Sequence, residues 1–215
     1  MTVMISHKEA YGVPYIEYDE LTPYAGIKCI TTLRSILQRE EVAKIASRII
    51  SGSPKKVFTV SQVHGDRYVL VKDHYMAGQH KERECADAII TTAKRFPIAM
   101  YTADCLPILL FDEACTVCAL IHAGKMGTQK EITYKVAKKI KEMGQNIVHA
   151  IIGPSIGPCC YEIDLWSNNE TQLQKAGIAK IHNVGICTSC NTDTFFSYRK
   201  EKGTQGRLVT VAQLE

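Results

Sequence analysis

The sequence predicts an α/β (α+β) fold in which helices flank mixed, partly antiparallel sheets. Short apolar runs typical of strands outnumber the helical patterns, and the two do not alternate as a regular βαβ array requires. No repeat, low-complexity run or long linker divides the chain. We therefore expect residues 1–215 to form a single domain, which is long enough to bury a sizeable core.

The elements of the first half follow from the spacing of apolar residues. Alternating segments in the first 32 residues indicate strands, for example at 15–18 and 27–30. Residues 33–50 carry Ile, Leu and Val at helical spacing and end in a Ser-Gly-Ser-Pro turn, which predicts a helix. Further strands are predicted at 57–63, 68–71, 88–91, 98–101, 108–111 and 116–121.

The second half begins with a lysine-rich helix. Ile132, Val136 and Ile140 form its apolar stripe, so we interpret the surrounding lysines as its solvated face. The remaining predicted elements are a strand at 147–152, a Gly/Pro loop at 153–158, a strand at 178–186, a short helix near 192–200 and a strand at 208–211.

The composition is that of an ordinary globular protein, with 46% hydrophobic and 22% charged residues. These values exclude a disordered tail, a collagen-like repeat and a coiled coil. A formal charge of +4 is too small to indicate a nucleic-acid partner. The longest segment without charged residues, 143–161, contains three glycines and two prolines, so no membrane span is expected.

Nine cysteines are the unusual feature of the composition. An odd number cannot pair completely within one chain, and residues 1–12 lack the apolar core of a secretory signal. We therefore expect reduced thiols in a cytoplasmic protein, some of which bind metal or take part in chemistry.

Three loops place reactive side chains at the ends of apolar strands. They carry His64, Cys105 and His122, which together would offer two imidazoles and a thiolate. Three protein ligands and one open position are what a catalytic zinc requires. The alternative is two hydrogen-bonded histidines and a buried thiol, because the spacings of 41 and 17 residues match no local metal signature.

The loop after His122 and the other cysteines are open to two interpretations. Gly124 and Gly127 flank Lys125 just before a predicted helix, which suits an anion site or simply a tight turn. The pairs Cys115/Cys118 and Cys187/Cys190 could together hold zinc, but their separation favours core thiols. Of Cys159 and Cys160, one is expected in a cleft and the other in the core.

Taken together, these loops resemble the laccase-domain (YfiH-like) family, whose members are known variously as multicopper polyphenol oxidoreductase, purine nucleoside phosphorylase and peptidoglycan editing factor. The matching segments follow the family order and are Gln62-Val63-His64-Gly65, Ala86-Asp87-Ala88, Thr102-Ala103-Asp104-Cys105-Leu106-Pro107, His122-Ala123-Gly124, Ile152-Gly153-Pro154-Ser155-Ile156-Gly157 with Tyr161-Glu162, and Phe195-Phe196-Ser197-Tyr198-Arg199 with Gly206-Arg207. The resemblance implies a compact three-layer α/β/α domain and assigns His64, Cys105 and His122 as metal ligands.

The resemblance also implies a zinc enzyme acting on small molecules, namely a purine nucleoside and phosphate. Phosphorolysis of adenosine, inosine or methylthioadenosine would use Lys125 and Arg199 to hold the anion. Deamination of adenosine, a second activity of the family, would need a carboxylate to move protons. Asp104 and Glu162 are the candidates, although a carboxylate beside a turn often only accepts backbone hydrogen bonds.

The sequence departs from the family pattern at two places. Lys125-Met126 stands where the family has Trp-Arg, so a point charge replaces a guanidinium fork. The family's Gly-Gly-Val-Ser segment near an N-terminal Thr-Arg is also missing, since residues 31–34 run straight into a predicted helix. Both departures concern the substrate more than the metal.

Three other functions stay open at this point. The two histidines, Cys105 and Met126 match a copper ligand set, but no two of the seven histidines form a His-x-His pair, which argues against a laccase-type oxidoreductase. Cys105 with a histidine base would suit a metal-free hydrolase acting on a cell-wall precursor amide. A metal-binding protein without catalysis is the third alternative.

Overall fold

The computed structural model describes residues 5–53, 55–72 and 83–215, and these residues form two sheets and four α-helices. The strands are β1 (Ile5–Ala10), β2 (Val13–Tyr18), β3 (Ile27–Thr32), β4 (Tyr68–Val71), β5 (Ala88–Thr91), β6 (Ile98–Thr102), β7 (Leu106–Asp112), β8 (Cys118–Ala123), β9 (Ile147–Ile152), β10 (Lys180–Asn183) and β11 (Leu208–Leu214). The helices are α1 (Arg39–Ser51), α2 (Lys125–Gln129), α3 (Ile132–Glu142) and α4 (Leu165–Lys175).

The two sheets differ in the direction of their strands. The first has the order β1-β2-β3-β11-β6 and is antiparallel throughout. The second has the order β10-β9-β7-β8-β5-β4, with antiparallel pairs at its centre and a parallel pair at each edge. The predicted α+β class with mixed, partly antiparallel sheets is confirmed.

The sheets pack face to face and the helices cover their outer faces. Met100 and Leu208 of the first sheet share one buried cluster with Ile89 and Leu120 of the second. Because successive strand residues point to opposite faces, the alternate residues are left to pack outward. Those of the first sheet pack on α1, and those of the second pack on α3 and α4. The β layer between the helices therefore consists of two sheets.

Three of the strand predictions agree with the observed bounds at both ends. The runs at 68–71, 88–91 and 147–152 coincide with β4, β5 and β9. β5 is buried at every position, and three of its four residues are apolar. The predicted strand at 178–186 is shorter than expected and spans only β10.

The predicted helix at 33–50 begins six residues late, at Arg39. The backbone amides of Leu33 and Arg34 donate 2.8 Å hydrogen bonds to the carbonyls of Pro14 and Thr194. These long-range bonds hold the segment extended, although its apolar residues have helical spacing.

Two predicted elements were wrong. Residues 57–63 make only isolated bridges, at Phe58 and Ser61, and the Gln62 side chain bonds the backbone of Tyr101. The helix expected near 192–200 is a series of turns. Its carbonyls at Thr192 and Phe195 accept hydrogen bonds from the Arg34 side chain.

Helix α4 was not predicted, because its buried face is partly polar. Asn169 is fully buried and bonds the Thr133 and Thr128 hydroxyls, while Gln172 donates to the Thr128 carbonyl. Hydrogen bonds across the helix interface thus replace part of the apolar stripe that a sequence pattern detects. Across the three described ranges, no helix combines the length and the apolar character needed to cross a bilayer.

Candidate metal centre and its cavity

Three loops bring the side chains of His64, Cys105 and His122 together. His64 precedes β4, Cys105 lies in the turn between β6 and β7, and His122 is the next-to-last residue of β8. Their ligand atoms all lie within 4.8 Å of one another. Two imidazole nitrogens and a sulfur at this separation could hold a borderline-soft metal ion.

A buried carboxylate, Asp87, orients two of these loops. One of its oxygens lies 2.8 Å from Nδ1 of His122, which leaves Nε2 of that ring as the nitrogen available to a metal. The same carboxylate accepts hydrogen bonds from the backbone amides of Val63, His64 and Gly65, at 2.6 to 3.3 Å. Sequence analysis quoted Asp87 in a family motif but gave it no role, because a lone Asp before an apolar strand carries no metal signature.

The Cys105 thiol and the His122 ring shift one another's protonation. Burial on its own raises the pKa of the thiol, but His122 and His64 lower it to about 6. Burial lowers the pKa of His122, whereas Cys105 and Asp87 together raise it to about 9. Without a metal, a thiolate and an imidazolium therefore face each other at neutral pH, and a metal cation would take the place of the proton.

Asp87 itself is held ionised. Burial on its own raises the pKa of its carboxyl, yet the hydrogen bonds from His122 and from the amides of Gly65 and His64 lower it below the usual range. The side chain is fully buried, so these four hydrogen-bond donors stabilise its negative charge in place of water.

The backbone has the left-handed conformation at one candidate ligand and at the residue that precedes another. His64 has φ of 59°, and Asp104, which precedes Cys105, has φ of 85°. Both Asp104 carboxylate oxygens accept hydrogen bonds of 2.7 Å, one from the Thr188 hydroxyl and one from the Arg199 amide. Both oxygens of Asp104, the predicted catalytic carboxylate, are therefore engaged in hydrogen bonds that hold the turn at Cys105.

Gly124 gives the three side chains room to meet. A Cβ atom at this position would lie 2.7 Å from the Cys105 sulfur and 3.2 Å from the His64 ring. Only a residue without a side chain lets the start of α2 approach the candidate centre this closely.

The centre opens into a cavity of about 980 Å³ that is rich in cations. His64, Cys105 and His122 line it together with Asp104 and the ring of Tyr161. Six basic side chains also line it, namely Arg39, Arg83, Lys125, Arg199, Lys202 and Arg207. A cavity with this excess of positive charge favours an anionic ligand.

The predicted anion-binding and acidic residues divide into two groups. Lys125 and Arg199 line the cavity, as does Asp104. Glu162 is not among the lining residues and instead forms a 3.1 Å ion pair with Arg199, whose guanidinium also lies over the Tyr161 ring. Sequence reasoning missed Arg39 and Arg83, which lie far apart in sequence and belong to no motif.

The remaining cysteines correct one expectation. Cys115 and Cys118 are buried, in keeping with core thiols. Cys187 is buried but Cys190 is exposed, so Cys190 is not the core thiol that was expected. Cys159 is exposed, whereas Cys160 is half-buried and packs against the core cluster beneath α3 and α4. Their loop is held at the surface beside residues 186–188 by backbone hydrogen bonds of Ser155 to Ile186 and Thr188.

Comparison with known proteins agrees with the motifs. A purine nucleoside phosphorylase of Corynebacterium glutamicum is 30% identical, over 77% of this chain and 77% of its own length. Another from Bacteroides thetaiotaomicron is 26% identical over 87% of this chain and 84% of its own length. The crystal structure of YlmD from Geobacillus stearothermophilus has the same fold, with a TM-score of 0.82 at 23% identity over 97% of this chain and 98% of that one.

The family model described as "Multi-copper polyphenol oxidoreductase laccase" matches residues 37–164 and 162–215, which include every candidate ligand. The chain therefore belongs to this family, the laccase-domain family that its motifs resemble.

Proposed function

We propose that this protein is a zinc-dependent purine nucleoside phosphorylase that converts adenosine, inosine or methylthioadenosine and phosphate into the free base and ribose 1-phosphate. One observation carries the proposal: two imidazoles and a thiol meet at one end of a cavity lined by six cations. The names of the relatives support the same reaction class.

Zinc fits the donor set at His64, Cys105 and His122. A thiolate with two neutral imidazoles suits a borderline-soft ion, and three protein ligands leave a fourth position for water or substrate. Zinc bound there would supply a Lewis acid at the cavity wall.

The cations of the cavity are proposed to bind the phosphate. Lys125 and Arg199, which the sequence analysis predicted to bind the anion, both line the cavity. Arg39 and Arg207 add two guanidinium groups to the same cavity. Of these two, Arg39 lies outside the family-like segments and is proposed to take the part of the arginine that the family has where this chain has Lys125. A phosphate oxygen held there forms the bond to C1′ of the ribose as the bond to the purine breaks.

An electron pair and a proton must both reach the purine during this step. The sugar becomes positive in the transition state, and the bound phosphate dianion stabilises that charge. The electron pair of the broken bond passes to the purine, which takes up the proton that the attacking hydrogenphosphate loses. Of the two proposed carboxylates, Asp104 holds the turn of Cys105, and Glu162 acts through Arg199, which it contacts at 3.1 Å.

The test is an assay of the zinc-loaded protein with inosine and phosphate. Hypoxanthine and ribose 1-phosphate are expected in equal amounts, with the activity lost in His122→Ala and kept in His7→Ala, an exposed histidine on β1. No product from inosine, adenosine or methylthioadenosine would overturn the proposal. Ammonia released from adenosine without phosphate would add the deaminase activity, and oxygen uptake with phenols and Cu(II) would instead favour a copper oxidase.

A second candidate function is that of a cysteine hydrolase. It is favoured by the spatial arrangement in which Cys105 contacts His122 and His122 contacts Asp87. The thiol is ionised at neutral pH, His122 is its partner, and Asp87 orients that ring at 2.8 Å. The thiolate would attack an amide carbonyl, His122 would give its proton to the departing amine, and water would release the acyl group. Activity on a peptidoglycan amide that survives chelation and is abolished by alkylation of Cys105 is expected; no such activity would exclude this candidate.

A further inference from the structure

Four cysteines outside the cavity form a second cluster of possible metal ligands. Cys159 and Cys160 follow the Gly/Pro loop after β9, and Cys187 and Cys190 flank the short turn before residue 191. The four sulfur atoms lie within 4.8 Å of one another. None of them belongs to the centre at His64, Cys105 and His122.

The sulfur separations are short enough for one metal ion to bind all four, since none exceeds 4.8 Å. The Cys190 sulfur lies 3.6 Å from that of Cys159 and 3.4 Å from that of Cys160. A disulfide would require about 2.05 Å and could join only two of the four. Four sulfurs at about 2.3 Å from one zinc ion lie about 3.8 Å apart, close to the observed spacing. We infer that Cys159, Cys160, Cys187 and Cys190 bind a second, structural zinc ion as four thiolates.

The backbone holds these cysteines in place before any metal binds. The amide of Ser155 donates to the Ile186 carbonyl and that of Thr188 donates to the Ser155 carbonyl, both at 3.1 Å. The amide of Gly157 points at the Cys187 sulfur, at 3.3 Å. An N–H group directed at the sulfur stabilises a thiolate ligand, as partners of ligand atoms commonly do in metal sites.

The second site would stabilise the wall of the cavity. Thr188, between Cys187 and Cys190, donates its hydroxyl hydrogen to Asp104, which fixes the turn that carries Cys105. Tyr161, next to Cys160, lines the cavity. Both segments that supply the four thiolates therefore reach the candidate active site.

Metal analysis of matched variants tests this inference independently of any activity. We expect about two zinc ions per wild-type chain and about one in the double variant His64→Ala/His122→Ala. Cys190→Ser, at an exposed position, should also lose about one ion, whereas Cys85→Ser, at an exposed cysteine outside both groups, should lose none. A double histidine variant that is folded by circular dichroism and holds no zinc would overturn the inference.

Two further measurements report on the ligands themselves, and the second uses the native wild-type protein, so it does not depend on how a variant folds. In the double histidine variant, bound Co(II) should give intense thiolate-to-metal charge-transfer bands and the d–d bands of a tetrahedral site. In the native wild-type protein, Cys159 and Cys190 should resist alkylation until the metal is chelated, despite their exposure. Rapid alkylation without release of metal, a disulfide among the four, or iron in place of zinc would each overturn the assignment.

Discussion

The carboxylate of Asp87 lies 2.8 Å from Nδ1 of His122 and at the same time accepts the backbone amide of His64 at 2.9 Å. A single buried charge thus fixes the ring of one candidate ligand and the backbone of another. The two loops that carry these ligands are far apart in sequence, so Asp87 is what sets their relative position.

Replacement of Asp87 by Asn should therefore weaken zinc binding without removing a ligand. The amide keeps the size of the side chain but loses the negative charge that orients His122, and such changes typically cost about 10- to 100-fold in metal affinity. Competition titration with a chromophoric chelator measures the effect. Asp66→Asn, at a carboxylate that pairs with Lys135, should leave the affinity unchanged. Equal affinities in the wild type and Asp87→Asn would contradict the assigned role.

The pH dependence of thiol alkylation should report the charge of Cys105 in the metal-free protein. Burial raises the pKa of this thiol, but His122 and His64 lower it to about 6. Because only the thiolate reacts, the alkylation rate should be half-maximal near pH 6, level off above about pH 7, and fall about tenfold per pH unit well below pH 6. Peptide-resolved mass spectrometry distinguishes Cys105 from the other cysteines.

The variant His122→Ala provides the comparison for this titration. Without the imidazolium, burial is no longer opposed by the charge of that ring, so the half-maximal rate should move upward in pH. A wild-type rate that continues to increase beyond pH 8 would show that the pair does not form.

The accuracy of the strand predictions depended on whether the backbone forms hydrogen bonds with neighbouring strands or with side chains. β5 and β9 were located correctly because their apolar runs match their burial, even though the ladder of β9 with β7 has a register shift at Phe111/Asp112. Residues 57–63 carry four apolar residues among seven, but the Gln62 side chain bonds the backbone of Tyr101 there. No periodicity of apolar residues detects a side chain that competes for backbone partners.

The candidate site was predicted as far as each residue carried its own chemical signal. His64, Cys105 and His122 are reactive residue types at strand ends, and the structure brings them together. Arg39 contributes to the same cavity from the first turn of α1, which depends on tertiary packing alone. The Cys187/Cys190 pair was compared with Cys115/Cys118, whereas the fold places it beside Cys159 and Cys160.

Lys125 should determine the affinity for phosphate if the proposed reaction is correct. Removing its charge in Lys125→Ala should raise the KM for phosphate about tenfold, in line with the loss of one hydrogen bond to a charged group. The KM for inosine should change much less. Lys125→Arg should restore phosphate binding, because the guanidinium keeps the charge and adds a fork.

A lysine outside the cavity serves as the control for this series. Lys130 is exposed and does not line the cavity, so Lys130→Ala should have the kinetics of the wild type. Steady-state assays that vary phosphate and inosine separately resolve the two constants. An increase confined to the KM for inosine would assign Lys125 to the nucleoside instead.

Gly124→Ala should disrupt the candidate centre while the rest of the fold stays intact. The added methyl group would lie 2.7 Å from the Cys105 sulfur and 3.2 Å from the His64 ring, so both must move. The φ of Gly124 is −89°, which alanine adopts without strain, and the effect is therefore steric and local.

Gly65→Ala is the matched control, since its methyl group meets Asp87 and Val63 at ordinary distances of 3.4 and 3.6 Å. Zinc content measures the effect on the centre, and the thermal unfolding curve of the chelated proteins measures the effect on the rest of the fold. Gly124→Ala should lose zinc from the centre at a nearly unchanged melting temperature. If it binds zinc at His64, Cys105 and His122 as tightly as Gly65→Ala does, the close approach of the α2 start to these ligands is not what the centre requires.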